Sequence, residues 1–362
     1  MPAFIHHIAT EVPTHVSEQT QARDRMKGWA AEPKTRRLIQ AIYNRSGIER
    51  RHSVCPDFTP EAEPLLYLTD DQGLLLSPST GRRNQIYAQE SHTLATAAGR
   101  RLLEKAIGFA PADITHVIFA SCTGFTNPGP DYHLIRDLGL SESVERYTLG
   151  FMGCYAAFPA LRMASQFCAA NPQAVVLVMC LELCTLHLQM TDKPDDILAH
   201  SLFADGAAAA LVSARPPTGP AWRLHSFESA LLPTSETDMA WDIGDHGFNI
   251  VLSSYVPELI GANIQALLTG ILNRQQKTLA SIRHWAVHPG GRSILDKVEQ
   301  SLELPPEALQ ASRSVLRDFG NMSSATILFV LARLLEQPLQ GLTSAVAFGP
   351  GLTVETALLE RV

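Results

Sequence analysis

Three segments of this chain place a reactive or polar residue where an apolar, strand-like run meets a turn or a helix. They are Gly153-Cys154, Val287-His288-Pro289-Gly290-Gly291 and Gly320-Asn321-Met322-Ser323-Ser324. Sites in α/β proteins lie at such positions. A thiol is a nucleophile, an imidazole holds or accepts its proton, and an amide NH₂ beside an imidazole N–H stabilises an oxyanion. The three residue types together predict acyl transfer.

Each of these residues also has a purely structural interpretation. Cys154 precedes a run of small, helix-compatible residues, and a helix start there would lower the pKa of the thiol. A cysteine at this position would equally fill a core. A histidine that ends a strand is commonly a hydrogen-bonded core residue, and Gly320-Asn321 is typical of a helix cap. Local sequence leaves both interpretations open.

The elements that would position these residues alternate between strand and helix. Apolar runs of strand length cover 116–121, 173–180, 283–288 and 344–348. Helical patterns cover 91–107 and 256–273, and further helices follow Cys154, Gly291 and Met322. This alternation predicts an α/β layered fold, with the run at 173–180 in a sheet that is covered on both faces. The Pro-, Asp- and Glu-rich segment 55–91 is expected to form a long irregular excursion before the first covering helix.

The chain also divides into two parts of similar style. A turn-rich stretch, Ala214-Arg-Pro-Pro-Thr-Gly-Pro-Ala-Trp222, follows an apolar run and marks the boundary. We therefore expect an N-terminal half, residues 1–215, that carries Cys154, and a C-terminal half, residues 216–362, that carries His288 and Asn321. The two halves suggest an internally duplicated architecture.

Composition limits the partners and the cellular compartment. Only 18% of the residues are charged, which predicts apolar surface buried against another subunit. The net charge of −7 without a block of like charge predicts no nucleic-acid or anionic-membrane partner. The longest apolar run, 174–183, is interrupted by Glu182 and is too short to span a membrane. Six scattered cysteines and no basic-then-apolar leader predict a cytoplasmic protein with reduced thiols.

Longer motifs around the three residues resemble the type III polyketide synthases, the chalcone and stilbene synthase family of the thiolase superfamily, in their bacterial type. The first motif is Ser121-Cys-Thr-Gly-Phe-Thr-Asn-Pro-Gly-Pro-Asp-Tyr-His-Leu134. The others are His288-Pro-Gly-Gly-Arg-Ser-Ile-Leu-Asp-Lys-Val-Glu, Gly320-Asn-Met-Ser-Ser-Ala325 and Phe348-Gly-Pro-Gly-Leu-Thr-Val-Glu355. All four occur in the family's order, with Cys154 between the first and the second.

This resemblance implies a thiolase-like, duplicated five-layer αβαβα fold and a homodimer. It assigns Cys154 as the nucleophile that holds the starter from an acyl-CoA and then the growing chain. It assigns His288 and Asn321 to the thioester carbonyl of malonyl-CoA, where they stabilise the enolate formed on decarboxylation. Repeated Claisen condensation and cyclisation would follow. Coenzyme A thioesters are then substrates, and no metal or other cofactor is expected.

The resemblance also identifies the residues that line the cavity. Phe203 matches a phenylalanine that gates the passage to the cavity, and Ile250 falls on the second gate position, with Phe248 as the competing assignment. Cys122, Cys184 and His187 fall on family threonines, Trp241 falls on a small glycine, and Ser323 adjoins Asn321. Ile250 favours an aliphatic starter and an alkylpyrone or alkylresorcinol product. A cavity closed by Trp241 would favour a malonyl-primed phenolic product instead.

Arg45 matches a basic family residue at the mouth of the coenzyme A tunnel, and Arg36 and Arg37 precede it on the same helix. The residue types also fit other classes of protein. Cys180, Cys184 and His187, or His284 and His288, have spacings that a metal site could use. Papain-like hydrolases, single-condensation β-ketoacyl-carrier-protein synthases and non-enzymatic scaffolds stay open as well.

Overall fold

The computed structural model describes residues 2–59, 62–232 and 238–362, which form thirteen strands and ten α-helices. The strands are β1 (Ala3–Glu11), β2 (His15–Glu18), β3 (Arg50–Ser53), β4 (His116–Ser121), β5 (Glu145–Gly150), β6 (Val175–Leu183), β7 (Asp205–Ser213), β8 (Trp222–Leu231), β9 (Met239–Gly244), β10 (Gly247–Leu252), β11 (Ile282–Val287), β12 (Leu342–Gly349) and β13 (Thr353–Arg361). The helices are α1 (Gln19–Trp29), α2 (Pro33–Arg45), α3 (Thr80–Lys105), α4 (Pro130–Asp137), α5 (Ala157–Ala170), α6 (Pro194–Leu202), α7 (Val256–Arg274), α8 (Arg292–Ser301), α9 (Gln310–Phe319) and α10 (Thr326–Leu335).

Nine of these strands form one mixed sheet in the order β11-β12-β13-β8-β1-β7-β6-β4-β5. Strand β4 runs parallel to β5 and β6, β11 runs parallel to β12, and the other neighbours are antiparallel. The N-terminal and C-terminal strands meet where β1 pairs with β8, over Ala3–Ile5 and Trp222–Leu224. Strands β9 and β10 pair only with each other, in a separate two-stranded ribbon.

Alternate side chains of the sheet enter different cores. On β6, Val178 packs into the core that contains α5 and α10, whereas Leu177 packs into the core that contains α1 and α3. On β12, Ala345 faces the central helices and Val346 faces α7 and α8. All nine residues of β6 are buried, which confirms the prediction of a strand covered on both faces. The N-terminal and C-terminal parts of this one sheet thus cover the central helices α5 and α10 from two sides, and outer helices cover the other face of each part. These are the predicted five thiolase-like layers.

The first covering helix begins earlier than the sequence pattern predicted. Helix α3 starts at Thr80, and the Ser79 hydroxyl accepts a hydrogen bond from the Arg82 amide at 3.2 Å. Ile86 and Tyr87 are buried in the same core as Leu94, so the apolar face continues back through a segment rich in polar residues. The expected irregular excursion to residue 91 was therefore too long.

None of the helices in the described ranges is long and apolar enough to cross a membrane.

Candidate active site

Cys154 lies in a tight turn between β5 and the central helix α5. The turn is a single 3-10 segment, Gly153–Tyr155, and Gly153 has a φ of +77°. A Cβ on Gly153 would lie 2.4 Å from Cδ of Pro350, in the loop after β12. Glycine is therefore required here both for its backbone conformation and for the close approach of a loop from the C-terminal half.

His288 follows the last residue of β11, and its amide donates to the carbonyl of Val346 at 2.8 Å. The side chain is buried, yet neither Nδ1 nor Nε2 has a hydrogen-bond partner among the described residues. Buried polar atoms are rarely left unpaired in this way, and a catalytic or ligand-binding role is one explanation for such an exception. The imidazole is therefore available to a bound substrate.

Asn321 lies between α9 and α10 and is fixed through both its backbone and its side chain. Its amide donates to the Leu202 carbonyl, and its carbonyl accepts from the Ala204 amide, each at 2.9 Å. The side-chain oxygen accepts from the Ser323 amide at 2.9 Å, and Nδ2 donates to the Gly290 carbonyl at 3.3 Å. Because Nδ2 carries two hydrogens and the Gly290 carbonyl takes one, the second N–H is left for the pocket, where the Cys154 thiol accepts from it.

One pocket brings these three residues together. Cys154, His288 and Asn321 line it with five of the other residues assigned to the cavity, namely Cys122, Cys184, Phe203, Trp241 and Ile250, and with Ser323. The pocket holds about 620 Å³ of atom-free space, part of which is open to solvent. Among the lining residues that the structure describes, none is an Asp, Glu, Lys or Arg. The arrangement can hold a nucleophile, a proton acceptor and an amide donor around an apolar acyl group.

Both halves of the chain match one family of known proteins. The family model for the N-terminal domain of chalcone and stilbene synthases matches residues 1–216, and the model for the C-terminal domain of the same family matches residues 223–362. The chain belongs to the chalcone and stilbene synthase family. Its homologues and structural neighbours are type III polyketide synthases, which are acyltransferases. The chain is therefore not a member of the papain-like hydrolases.

Relatives and solved structures agree with this assignment. The synthase is 32% identical to "Alpha-pyrone synthesis polyketide synthase-like Pks18" of Mycobacterium tuberculosis, over 99% of this chain and 91% of that protein. It is also 32% identical to "Probable polyketide synthase 1" of Dictyostelium discoideum, over 99% of this chain but only 11% of that protein's length. PKS-I from the brown alga Ectocarpus siliculosus superposes with a TM-score of 0.91 at 30% identity, covering 100% of this chain and 98% of that one. The C-terminal type III domain of Steely1, a type I/III hybrid from Dictyostelium, gives 0.90 at 30% identity, with 100% of both chains covered.

Burial sets the protonation state of the synthase's nucleophile and imidazole. It raises the pKa of the Cys154 thiol to about 11, although hydrogen bonding by Ser323 and Asn321 acts in the opposite direction. Burial also lowers the pKa of His288 to about 3. The expectation that a helix start lowers the pKa of Cys154 was therefore wrong, because loss of hydration outweighs it. Both groups are neutral near pH 7.

Glu182 is a buried carboxyl group behind the pocket that the sequence analysis did not assign to the site. It accepts hydrogen bonds from the Cys122 amide at 3.0 Å, the Thr123 hydroxyl at 2.9 Å and the Ser324 hydroxyl at 2.6 Å. Burial raises its pKa to about 7, despite these donors. The sequence feature that could have identified Glu182 is its position as a single acidic residue inside an otherwise apolar strand. Its hydrogen bonds fix the wall that carries Cys122.

The ribbon of β9 and β10 forms a further part of the pocket wall. Trp241 and Ile250 are directly paired across it, and the Trp241 indole N–H donates to the Cys122 carbonyl at 2.8 Å. Phe248 does not line the pocket but stacks on His187 at 4.0 Å between ring centroids. The position next to the cavity is thus held by Ile250 and not by the competing Phe248.

His187 lies behind this wall instead of lining the pocket, contrary to its assignment as a substrate contact. Its Nε2 lies 2.7 Å from the Thr123 carbonyl, and its Nδ1 accepts from the Phe248 amide at 3.1 Å. Both ring nitrogens are therefore occupied, which also removes His187 from the proposed metal site with Cys180 and Cys184. No group of three metal-ligating side chains occurs within the ranges that the structure describes.

A second, outer pocket adjoins the first and contains Arg45. It holds about 1180 Å³ of atom-free space and shares Leu252, Gly290 and Ile294 with the inner pocket. Arg292 lies on its rim as well. The shared residues place the outer pocket directly beside the inner one, and its lining includes Arg45 and Arg292, as a passage for a phosphorylated carrier would require.

Proposed function

We propose that this type III polyketide synthase extends an acyl-CoA starter with malonyl-CoA on Cys154 and then cyclises the chain. The observation that carries the proposal is the unpaired, buried imidazole of His288, which lines the same pocket as the Asn321 amide and the Cys154 thiol. Loading begins when the neutral thiol gives its proton to His288 and attacks the starter thioester. The thiolate of coenzyme A leaves and takes that proton, so the acyl group is transferred without net change of charge.

Extension uses the same residues in a second role. The thioester oxygen of malonyl-CoA accepts hydrogen bonds from the imidazole N–H and from the second N–H of Asn321, which no longer serves the thiol once Cys154 is acylated. Carbon dioxide then leaves, and the electron pair moves through the enolate, whose charge lies on the bound oxygen. The enolate carbon attacks the acyl-Cys154 carbonyl, and the Cys154 sulfur leaves. Return of the longer chain to Cys154 allows another round, and this chemistry calls for no metal or other cofactor.

The lining of the pocket supports an aliphatic starter. Within the described part of the chain, no Asp, Glu, Lys or Arg lines the inner pocket, and Ile250 supplies a flexible aliphatic side chain to the same lining as Phe203. We therefore propose an alkylpyrone or alkylresorcinol product. Trp241 supports the second candidate, a malonyl-primed phenolic product, because its indole is held in the cavity wall by the Cys122 carbonyl. A large side chain fixed there leaves less room for a long starter.

Two copies of this chain are proposed to form the active homodimer. Strand β5 has a neighbour on one side only, β4, and four of its six residues are exposed. Unpaired edges of this kind pair with another chain unless they are protected. Phe125, which is 48% exposed, stacks on Phe151 next to the end of this strand. The edge and the adjoining aromatic surface support association through β5.

Intact-protein mass spectrometry tests the loading step. Exposure to an aliphatic acyl-CoA is expected to add one acyl group to the wild-type protein and none to Cys154→Ala. Cys168→Ala is the matched control, since that thiol lies in the core away from the pocket. An adduct that persists in Cys154→Ala would contradict the assignment of the nucleophile.

Product analysis with malonyl-CoA and a panel of starters tests the rest. We expect pyrones or resorcinols from aliphatic starters, and Ile250→Phe should shift the preference to shorter ones. A single β-ketoacyl product would refute repeated extension. Phenolic products from malonyl-CoA alone would support the second candidate, and a preference for aromatic starters only would refute the inference from Ile250.

A further inference from the structure

Helix α2 carries a row of unpaired cations that leads to the outer pocket. The helix contains four basic residues, Lys34, Arg36, Arg37 and Arg45, and no acidic residue. Lys34, Arg37 and Arg45 are spaced so that they share one face of the helix, and all three are exposed. Arg45, at the end of the row, lines the outer pocket. We call Lys34, Arg37 and Arg45 the α2 stripe.

The charges of the stripe are not neutralised by the protein itself. Among the described residues, neither Lys34, Arg37 nor Arg45 forms an ion pair, whereas Arg292 on the pocket rim is paired with Asp296 at 3.6 Å. The acidic residue nearest to the stripe in sequence is Glu32, which precedes the helix. In a chain with a net charge of −7, this local concentration of positive charge favours a negatively charged partner.

The length of the stripe exceeds what the mouth of the pocket needs. Residues 34 to 45 span about 16 Å of helix. Arg45 alone lines the pocket, so Lys34 and Arg37 extend the positive surface away from it. A partner that engages the whole stripe is therefore larger than the phosphates of one coenzyme A molecule, and it lies beside the opening through which a thioester must enter.

We propose that the α2 stripe docks a small acidic acyl carrier protein, whose phosphopantetheine arm delivers a thioester through the outer pocket to Cys154. This inference rests on the proposed function. An anionic membrane fits less well, because a helix that lies on a membrane exposes large apolar side chains and α2 exposes none. The chemistry at Cys154 is unchanged: the acyl group moves to the thiol, and the arm leaves as its own thiol with the proton.

The test compares one acyl group on two carriers. The same aliphatic acyl group is supplied to the purified full-length protein either as acyl-CoA or on an acidic, phosphopantetheinylated carrier protein. The double variant Lys34→Glu/Arg37→Glu is expected to lower kcat/KM for the carrier-bound starter about tenfold, through slower association, and to leave the value for acyl-CoA within about twofold. Added salt should weaken the reaction of the carrier and affect that of acyl-CoA less.

Arg100→Glu/Lys105→Glu is the matched control, since it makes the same change of charge at exposed positions of α3. Equal losses with both carriers would overturn the proposal, because the stripe would then serve coenzyme A. No loss with either carrier, or no turnover of the carrier-bound starter by the wild type, would overturn it as well. Binding to anionic vesicles that the double variant abolishes, with carrier turnover intact, would assign the stripe to a membrane. Absence of condensation from acyl-CoA in the wild type would instead refute the proposed function.

Discussion

Cys154 and His288 face the same apolar pocket as a neutral thiol and a neutral imidazole. Charge therefore develops only when a substrate is bound. Hydrogen bonds to a developing oxyanion are strong in such a site, because little water screens them and the donors need not reorganise. The cost of keeping His288 unpaired in the core is then offset in the transition state.

Replacement of Asn321 tests this account of the oxyanion donors. Asn321→Ala removes the Nδ2 donor, so we expect decarboxylation of malonyl-CoA to slow by about 10²- to 10³-fold. Asn263→Ala is the control, because Asn263 donates to a carbonyl of its own helix, α7, outside the pocket. Release of CO₂ from malonyl-CoA measures the step directly. A loss confined to starter loading would contradict the assigned role.

The pH dependence of alkylation tests the raised pKa of Cys154. A thiol with a pKa of about 11 is protonated below that pH, so its reactive thiolate fraction increases as the pH rises. The rate of alkylation of Cys154 by iodoacetamide is expected to increase about tenfold per unit from pH 7 to pH 10. Peptide mass spectrometry follows the modified residue. A rate that is already constant at pH 8 would show that the thiolate is held by an imidazolium.

At the level of elements, Cys154, His288 and Asn321 all lie in turns. The backbone of the turn before α5 is restricted at Gly153. A side chain at Gly153 would meet both an unfavourable positive φ and the ring of Pro350. We expect Gly153→Ala to destabilise the protein by more than the ~1 to 2 kcal/mol of the backbone conformation alone, and to lower turnover.

Gly139→Ala separates the effect of the positive φ from that of the contact with Pro350. Gly139 has a φ of +64°, and a Cβ added there would have no other atom within 4 Å. Urea denaturation and turnover of both variants make the comparison. Equal losses of stability with full activity in both would show that contact with Pro350 does not position the nucleophile.

The strands and the positions of Cys154 and His288 after strand ends follow from local pattern, since apolar runs and turns are encoded by neighbouring residues. Asn321 instead follows helix α9, where the sequence pattern predicted a strand. The protonation states do not follow from local pattern, because they depend on burial by residues far away in sequence. Glu182 was missed for the same reason: its partners come from the loop after β4 and from the turn before α10. His187 was misplaced because only the tertiary structure shows its ring nitrogens occupied by the backbone of Thr123 and Phe248, outside the cavity lining. The roles of the cavity residues and the boundary near residue 215 stay predictions.

At the scale of the whole molecule, we expect two copies of the chain to associate. If β5 pairs with its copy, Phe125→Asp places a charge beside the edge and should shift the protein towards monomers at micromolar concentration. Analytical ultracentrifugation measures the change. Ile107→Asp is the control, as Ile107 is 77% exposed after α3, on another part of the surface. Monomeric wild-type protein would refute the proposed homodimer.

The two halves are joined by a short pairing of β1 with β8 and by the core that contains α5 and α10, and the Ser324 hydroxyl of the C-terminal half donates to the Glu182 carboxyl of the N-terminal half at 2.6 Å. The turn of Cys154 precedes α5, and that of Asn321 precedes α10. The halves therefore cannot separate locally while the three residues stay together. Catalytic competence should be lost in the same cooperative transition as the global fold, and the amides around these turns should be among the slowest of the chain to exchange with deuterium.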